Sequence, residues 1–305
     1  MLTILLFGAD GQVGWELRRS LSPLGRLIAL SRNHVDFEDV SALRNIVYHH
    51  RPQIIVNAAA YTAVDKAESD VKTARRINAE AVGLLAFMAK EINAWFVHYS
   101  TDYVFDGKHE VAYREDHQPS PLNVYGQTKW EGEQLVQASE CNHLLIRTSW
   151  VYSSRGNNFV HTMLRLAQER DSIKVVVDQI GAPTSAKLIA DITALALQVI
   201  IKSSPDTAFQ YTGIYHLSAR GQTSWHGFAT YIIEQAIVLG LPIKAHLNSI
   251  VPIATADYPM SAKRPANSLL NTSKLCDTFN VFLPAWEIQV NQAIVKILKK
   301  VSYES

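Results

Sequence analysis

The chain has 305 residues, of which 48% are hydrophobic, and a formal net charge of +1. That length buries a large core and lies near the size at which a chain divides into two lobes. A nearly neutral sequence without basic tracts gives no electrostatic footprint for nucleic acid or an anionic membrane surface, and no apolar stretch is long enough for a membrane span. Only Cys141 and Cys276 are present, too few for a disulfide framework, so a reducing cytoplasm is the expected compartment. Met1 to Phe7 is apolar but lacks a basic n-region and runs straight into a glycine turn, which argues against a signal peptide.

Short apolar runs rich in β-formers alternate with helical patterns. The first run, Leu2 to Phe7, predicts a strand, followed by a glycine turn and a helix over Gln12 to Ser22. Further strands are expected at Leu27 to Leu30, Ile54 to Asn57, Trp95 to Ser100, His143 to Arg147, Lys174 to Val177 and Ile214 to Leu217. Helices are expected at Val40 to Tyr48, Thr73 to Glu91, Asn123 to Ala138, Asn158 to Glu169, Lys187 to Ile201 and Ser224 to Ala236. The alternation predicts an α/β fold with a parallel sheet and crossover helices, in which ligands sit at the carboxyl ends of the strands. No Pro/Gly/Ser linker divides the chain, so any second lobe is expected to be interleaved with the first.

The turn Gly8-Ala9-Asp10-Gly11-Gln12-Val13-Gly14 has the spacing G-x-x-G-x-x-G. Glycines there let the backbone turn tightly and approach a pyrophosphate, which rests on free amides at the positive end of the following helix. An ordinary loop is the competing reading, and the position directly after the first strand favours the dinucleotide. Tyr125 and Lys129 stand four residues apart on a predicted helix, which stacks a phenol beside an ammonium. The positive charge is expected to draw the phenol pKa down from about 10, and such a pair can donate a proton to a carbonyl under reduction. With 12 tyrosines in the chain, one such spacing also arises by chance on a solvated helix face.

Together, the glycine turn and the Tyr125/Lys129 pair resemble the extended short-chain dehydrogenase/reductase superfamily. The runs Asn57 to Glu68, His98 to Phe105, Ser120 to Gly126, Arg147 to Tyr152, Asp178 to Thr184 and Arg264 to Ser268 are similar, within it, to the dTDP-4-dehydrorhamnose reductase family. They stand in that family's order and reach from residue 2 to about residue 290. The resemblance implies a Rossmann-like doubly wound parallel sheet with a smaller interleaved substrate-binding lobe. The cofactor domain would take residues 1–150 plus about 187–220, and the substrate lobe 151–186 and 221–305.

The implied reaction is NAD(P)H-dependent reduction of the 4-keto group of dTDP-4-dehydro-6-deoxy-L-mannose to dTDP-L-rhamnose, a precursor of cell-surface polysaccharide. Tyr125 would supply the proton, Lys129 would stabilise phenolate and anchor the nicotinamide ribose, and Thr101 would hydrogen-bond the substrate oxygen. Gly8, Gly11, Gln12, Val13 and Gly14 would form the pyrophosphate turn, and Ser31, Asp36 and Phe37 the adenosine side. Ala60, Tyr61, Thr62 and Tyr99 would meet the middle of the cofactor. Thr101, Asp102, Tyr125 and Trp150 would meet the sugar nucleotide, with a core role as the competing reading for Trp150. Arg264, which stands next to a proline, is open to two readings, pyrophosphate binding or loop order.

Cofactor preference is expected to be set at the end of the second strand, where an acid binds the ribose hydroxyl and a base accepts a 2′-phosphate. The strand ends Leu30-Ser31-Arg32, so Arg32 predicts NADPH over NADH, with NADH still usable and a solvated surface arginine as the alternative. Nucleotide-sugar 4,6-dehydratases carry Thr-Asp-Glu where this chain has Thr101-Asp102-Tyr103, which favours a plain reductase. Some relatives dimerise around magnesium held by glutamates. Glu16 and Glu287 match two of those positions and Lys187 the third, and an ammonium repels the ion. No metal is therefore expected, and a monomer or weak dimer is. The resemblance leaves two alternatives: a non-catalytic partner protein like the regulatory subunit of methionine adenosyltransferase, and a sugar nucleotide epimerase.

Overall fold

The computed structural model describes residues 1–304. Runs of β-branched, aromatic and leucine residues form β1 (Thr3–Phe7), β2 (Arg26–Leu30), β3 (Ile54–Asn57), β4 (Trp95–Thr101) and β5 (His143–Thr148). Then come β6 (Val151–Tyr152), β7 (Ile173–Val176), β8 (Ile180–Gly181), β9 (Thr184–Ser185), β10 (Gly213–His216), β11 (Thr223–Ser224) and β12 (Ile250–Ile253). The helices are α1 (Gln12–Leu21), α2 (Val40–His50), α3 (Val64–Ala67), α4 (Val71–Arg75), α5 (Ala81–Glu91) and α6 (Val124–Ala138). They continue as α7 (Phe159–Glu169), α8 (Ala186–Lys202), α9 (Pro205–Ala208), α10 (Trp225–Val238), α11 (Ser273–Phe279) and α12 (Trp286–Glu304). Among the described residues no helix is long and apolar enough to cross a membrane.

Six strands pair in parallel in the order β10-β5-β4-β3-β1-β2. Side chains alternate across the pleat, so each strand feeds two cores. Ile4, Leu6, Ile54, Val56, Val97 and Leu144 face one side with Leu17 of α1 and Ile189 of α8. Leu5, Phe7, Ile55, Phe96 and Leu145 face the other with Leu43 of α2 and Leu85 of α5. Strand order reverses between β1 and β3, and the crevice at their carboxyl ends is where an open α/β sheet takes its ligand. The outer edge, β10, is blunted by side chains: Lys274 Nζ donates to the Ile214 carbonyl (2.8 Å) and Glu115 accepts from the His216 amide (2.9 Å).

The run expected at Lys174 to Val177 forms β7, outside the central sheet and within the stretch expected for the substrate lobe, paired in parallel with β12 and packed on α10. Lys174 is exposed, and a strand with one wet face does not fit inside a sheet covered on both sides. The helix expected over Thr73 to Glu91 is divided by a π-helical turn, Arg76–Glu80, between α4 and α5. That turn carries the buried Asn78, whose amide accepts from the Tyr61 N–H (2.8 Å) and donates to Thr128 (3.2 Å) on α6. Its carbonyl lies so close to α6 that a Cβ on Gly132 would meet it at 2.2 Å. The π turn thus seats α6, the helix carrying Tyr125 and Lys129, against the sheet.

Candidate active site

The glycine turn is built by close backbone approach. Gly8 has φ +75°, and a Cβ there would lie 2.5 Å from the Ala59 nitrogen; one on Gly14 would lie 2.0 Å from the Gly8 carbonyl. Gly11 N–H donates back to that carbonyl (3.0 Å), and α1 then starts without a side-chain cap, so its first amides are free for an anion. The turn walls a cleft of about 260 Å³ that brings together Gly8, Gly11, Ser31, Arg32, Asp36, Phe37 and Ala60. Asn33, Val35 and Ile77 also line it and carry no motif that would have marked them. Gln12 accepts a hydrogen bond from Asn158 (2.9 Å) at the start of α7, Val13 is partly buried on α1, and Tyr61 and Thr62 continue the loop after Ala60. Tyr99 turns its phenol into the core, 2.9 Å from Thr193 of α8, and presents its carbonyl to Lys129.

Asn123 caps α6 by accepting from the Gly126 amide (2.8 Å), and Gly126 lies against the Tyr103 carbonyl, where a Cβ would come to 2.2 Å. This fixes the first turn of the helix beside the end of β4. There the Thr101 hydroxyl donates to Asp102 (3.0 Å) and neighbours the Tyr125 phenol, whose ring meets Tyr103 edge to face at 5.8 Å. Burial pushes Tyr125 up to about 12; the Thr101 contact opposes the rise and the Asp102 charge adds to it. The expected lowering of this phenol by Lys129 is therefore corrected. The lysine is fully buried and aims its Nζ at β4, donating to the Tyr99 carbonyl at 2.6 Å and meeting His98 Nε2 at 3.1 Å. Burial lowers Lys129 to about 8, with Glu133 opposing. Asp102 is likewise buried, which pushes its carboxyl up to about 6 against the Ser268 and Thr101 hydroxyls.

Trp150 follows β5 at φ +48°, 9% exposed. Its indole stacks on Trp225 at 3.7 Å and occupies the place of a Gly181 Cβ, which would lie 2.4 Å from it. Trp225, with Phe159, Val175, Met260, Lys263 and Arg264, lines a cleft of about 530 Å³. Trp150 thus supports this wall from behind, and the lining indole is Trp225, which sequence reasoning missed because a lone tryptophan opening a helix looks like core. Arg264 pairs with Asp65 of α3 (2.6 Å), whose carboxylate also accepts from the Ala262 amide (3.1 Å), fastening the loop before Ser268 to α3. A larger cleft, about 750 Å³ between Arg114, Gln137 and Lys274, borders β10 and touches none of the residues predicted for the site.

Glu16 is 6% exposed and faces cations: Arg19 Nε at 3.7 Å and Lys296 Nζ at 3.9 Å. Lys187 lines the same shallow cleft, within reach of Gln292 (3.4 Å). Among the described residues no group of three or more His, Cys, Asp or Glu side chains is gathered to hold a metal ion.

The family model described as RmlD substrate binding domain matches residues 2–299. A dTDP-4-dehydrorhamnose reductase of Escherichia coli (strain K12) is 48% identical over 297 residues, covering 96% of this chain and 97% of that relative. Its namesake from Salmonella typhimurium (strain LT2) is 47% identical over 300 residues, covering 97% and 98%. Among solved structures, dTDP-4-dehydrorhamnose reductase from Bacillus anthracis str. Ames in complex with NADP superposes with a TM-score of 0.86 at 34% identity, covering 97% of this chain and 100% of that one.

Proposed function

The chain belongs to the RmlD substrate binding domain family, that of the dTDP-4-dehydrorhamnose reductases, and on that footing we propose that it reduces dTDP-4-dehydro-6-deoxy-L-mannose to dTDP-L-rhamnose with NADPH. The observation that carries the reading is the gathering of Thr101 and Tyr125 at the carboxyl end of β4, beside a buried Lys129, in the sheet whose first turn leaves no room for a Cβ at Gly8 or Gly14.

A bound nicotinamide supplies hydride to C4 of the sugar. The chain's own residues do the rest. Gly8, Gly11 and Gly14 admit the pyrophosphate to the α1 amides, and Ser31, Arg32, Asp36 and Phe37 take the adenosine end. As C4 gains hydride, charge develops on its oxygen, and Tyr125 delivers its phenolic proton there while Thr101 holds that oxygen in line. Lys129, with its Nζ on the Tyr99 carbonyl and His98, lies on the same helix below the phenol and holds a positive charge in the buried floor of the site. Asp102 and the cleft walled by Trp225 and Arg264 receive the sugar nucleotide, with Trp150 as backing. We assign residues 1–150 and about 187–220 to the cofactor domain, because α8 packs on α1 and β10 joins β5. Residues 151–186 and 221–305 then form the substrate lobe. The two free cysteines accord with a cytoplasmic enzyme.

Mixing the purified protein with NADPH and the 4-keto sugar nucleotide tests this: one nicotinamide oxidised per sugar reduced is expected. No consumption, together with a stable complex with another protein, would replace the reading with a non-catalytic partner. Sugar conversion without net nicotinamide oxidation would make it an epimerase.

Arg32 is exposed on the rim of the adenosine cleft. Arg32→Ala is expected to lower kcat/KM for NADPH about tenfold, the worth of a charge-assisted contact to phosphate, with NADH nearly unchanged. Equal use of both nicotinamides by both proteins would remove this role. The cations around Glu16 further predict that EDTA leaves the mass in solution unchanged by light scattering; a dimer that dissociates on chelation would overturn it.

A further inference from the structure

A second buried base stands behind Lys129, and the reaction derived above leaves it without a task. His98 lies on β4, 1% exposed, with Nε2 3.1 Å from Lys129 Nζ. Its other face is fixed. Nδ1 lies 3.3 Å from the Asn57 side-chain nitrogen, the Asn57 side-chain oxygen accepts from the Ala59 amide at 3.0 Å, and the Asn57 backbone also bonds the ring. The ring also lies parallel to Phe96 at a centroid separation of 6.0 Å. An ammonium can only donate, so the 3.1 Å contact with Lys129 selects the tautomer whose lone pair lies on Nε2 and whose proton lies on Nδ1.

We propose that His98 is a positioning residue whose Nε2 lone pair holds Lys129 protonated and aimed, so that one N–H of the ammonium remains for the reaction centre. The inference rests on the reading of Lys129 as part of the active site. An ammonium has three donors; the Tyr99 carbonyl takes one and His98 a second, both from β4, which leaves the third untaken by these two. Burial and the lysine's charge both hold His98 well below its ordinary value, so it stays neutral and able to accept. The remaining groups facing Lys129 are few. Glu133 lies one turn further along α6, with its carboxylate taken by Arg147 of β5 at 2.6 Å, and Thr101, Asp102 and Tyr125 stand at the end of β4. None of these takes the place of a neutral acceptor at Nζ.

The sign follows from which form His98 favours. An acceptor at Nζ stabilises ammonium, so its removal makes Lys129 lose its proton at lower pH. In His98→Leu the high-pH limb of kcat is expected to move down by about one pH unit, with substrate KM changed less than about twofold. His98→Gln, whose amide oxygen reaches about as far as Nε2, is expected to restore the limb, and His98→Asn, which is too short, is not. The ¹⁵Nζ signal of Lys129 in the cofactor-free protein, assigned by its loss in Lys129→Met, should titrate with the same displacement, and this readout needs no turnover. If His98→Leu does not fold, the Gln and Asn variants carry the comparison. Coincident limbs and coincident Nζ titrations in the Gln and Asn variants would overturn the proposal, as would a folded Leu variant titrating like wild type. A wild-type protein that reduces no sugar fails the functional reading instead, and the Nζ titration still decides the contact.

Discussion

Tyr125→Phe will lower kcat by about 10²- to 10⁴-fold while leaving NADPH affinity within a few-fold of the wild type, because one hydroxyl is removed and no ring packing. The phenol, pushed up to about 12, is wholly protonated at neutral pH and ready to give its proton. The cofactor cradle is made by other residues, Gly8, Gly14 and the start of α1, so binding should survive. One rival acid stands nearby: Asp102, pushed up to about 6. The two are separable by pH. A proton supplied by Asp102 would be lost as pH rises through about 6, whereas the phenol is still intact there, so wild-type kcat should not fall across that region. Stopped-flow nicotinamide absorbance on both proteins measures this. Retained turnover in Tyr125→Phe, with a falling acid limb near the Asp102 value, would move the role of proton donor to the carboxyl.

The misreading of the Tyr125 and Lys129 pair shows where a sequence stops speaking. Four-residue spacing gives proximity on one helix face, but not direction. A long side chain reaches whatever its neighbours on another element offer, and here β4 offers a carbonyl and an imidazole. His98 stood in a run that resembled the family, yet nothing local relates a strand position to a helix thirty residues later. The glycine turn, by contrast, was legible because its chemistry is local: a tight turn after a strand has room for no other residue at Gly8 and Gly14. β3 was bounded to the residue at Ile54–Asn57 by a continuous apolar run, and α1, α6 and α8 to within a residue or so by their periodicity. The two-residue strands β6, β8, β9 and β11 have no period to read, and the partner of β7, β12, carried no signal that set it apart. Short helices such as α3 and α11 were missed for the same lack of repeat. Trp225 shows a further limit, since only packing against Trp150 distinguishes a lining indole from a supporting one.

Glu133→Gln will destabilise the protein by about 3–5 kcal/mol, with a fall in Tm on the order of 10 °C. The glutamate carboxylate is fully buried and receives Arg147 through Nη2 at 2.6 Å and Nε at 3.0 and 3.2 Å. The guanidinium, 2% exposed, lies over the Phe105 ring at 5.0 Å and donates to the Glu115 backbone carbonyl at 3.5 Å, and its neighbour His216 is held neutral by burial and by Arg147 itself at about 3. Neutralising the glutamate therefore strands a cation that cannot lose its proton and that, among the described residues, pairs with no other carboxylate. Arg147→Met strands an anion instead, which has an escape. With its cation gone, Glu133 is expected to have a folded pKa above its unfolded value, so the penalty applies at high pH and is relieved as pH falls through that folded value. The Met variant should thus recover towards wild type on acidification, and the Gln variant should not. Replacing both partners, Glu133→Leu with Arg147→Met, should regain most of the loss, since an apolar pair of similar volume leaves no charge unpaired. The same glutamate is the group that opposes the lowering of Lys129, so Glu133→Gln should also move the lysine's deprotonation to lower pH, coupling the stability of α6 on β5 to proton delivery. Calorimetric melts across pH for the three variants test the argument; single variants melting within about 2 °C of wild type would mean that the pair only balances its own desolvation.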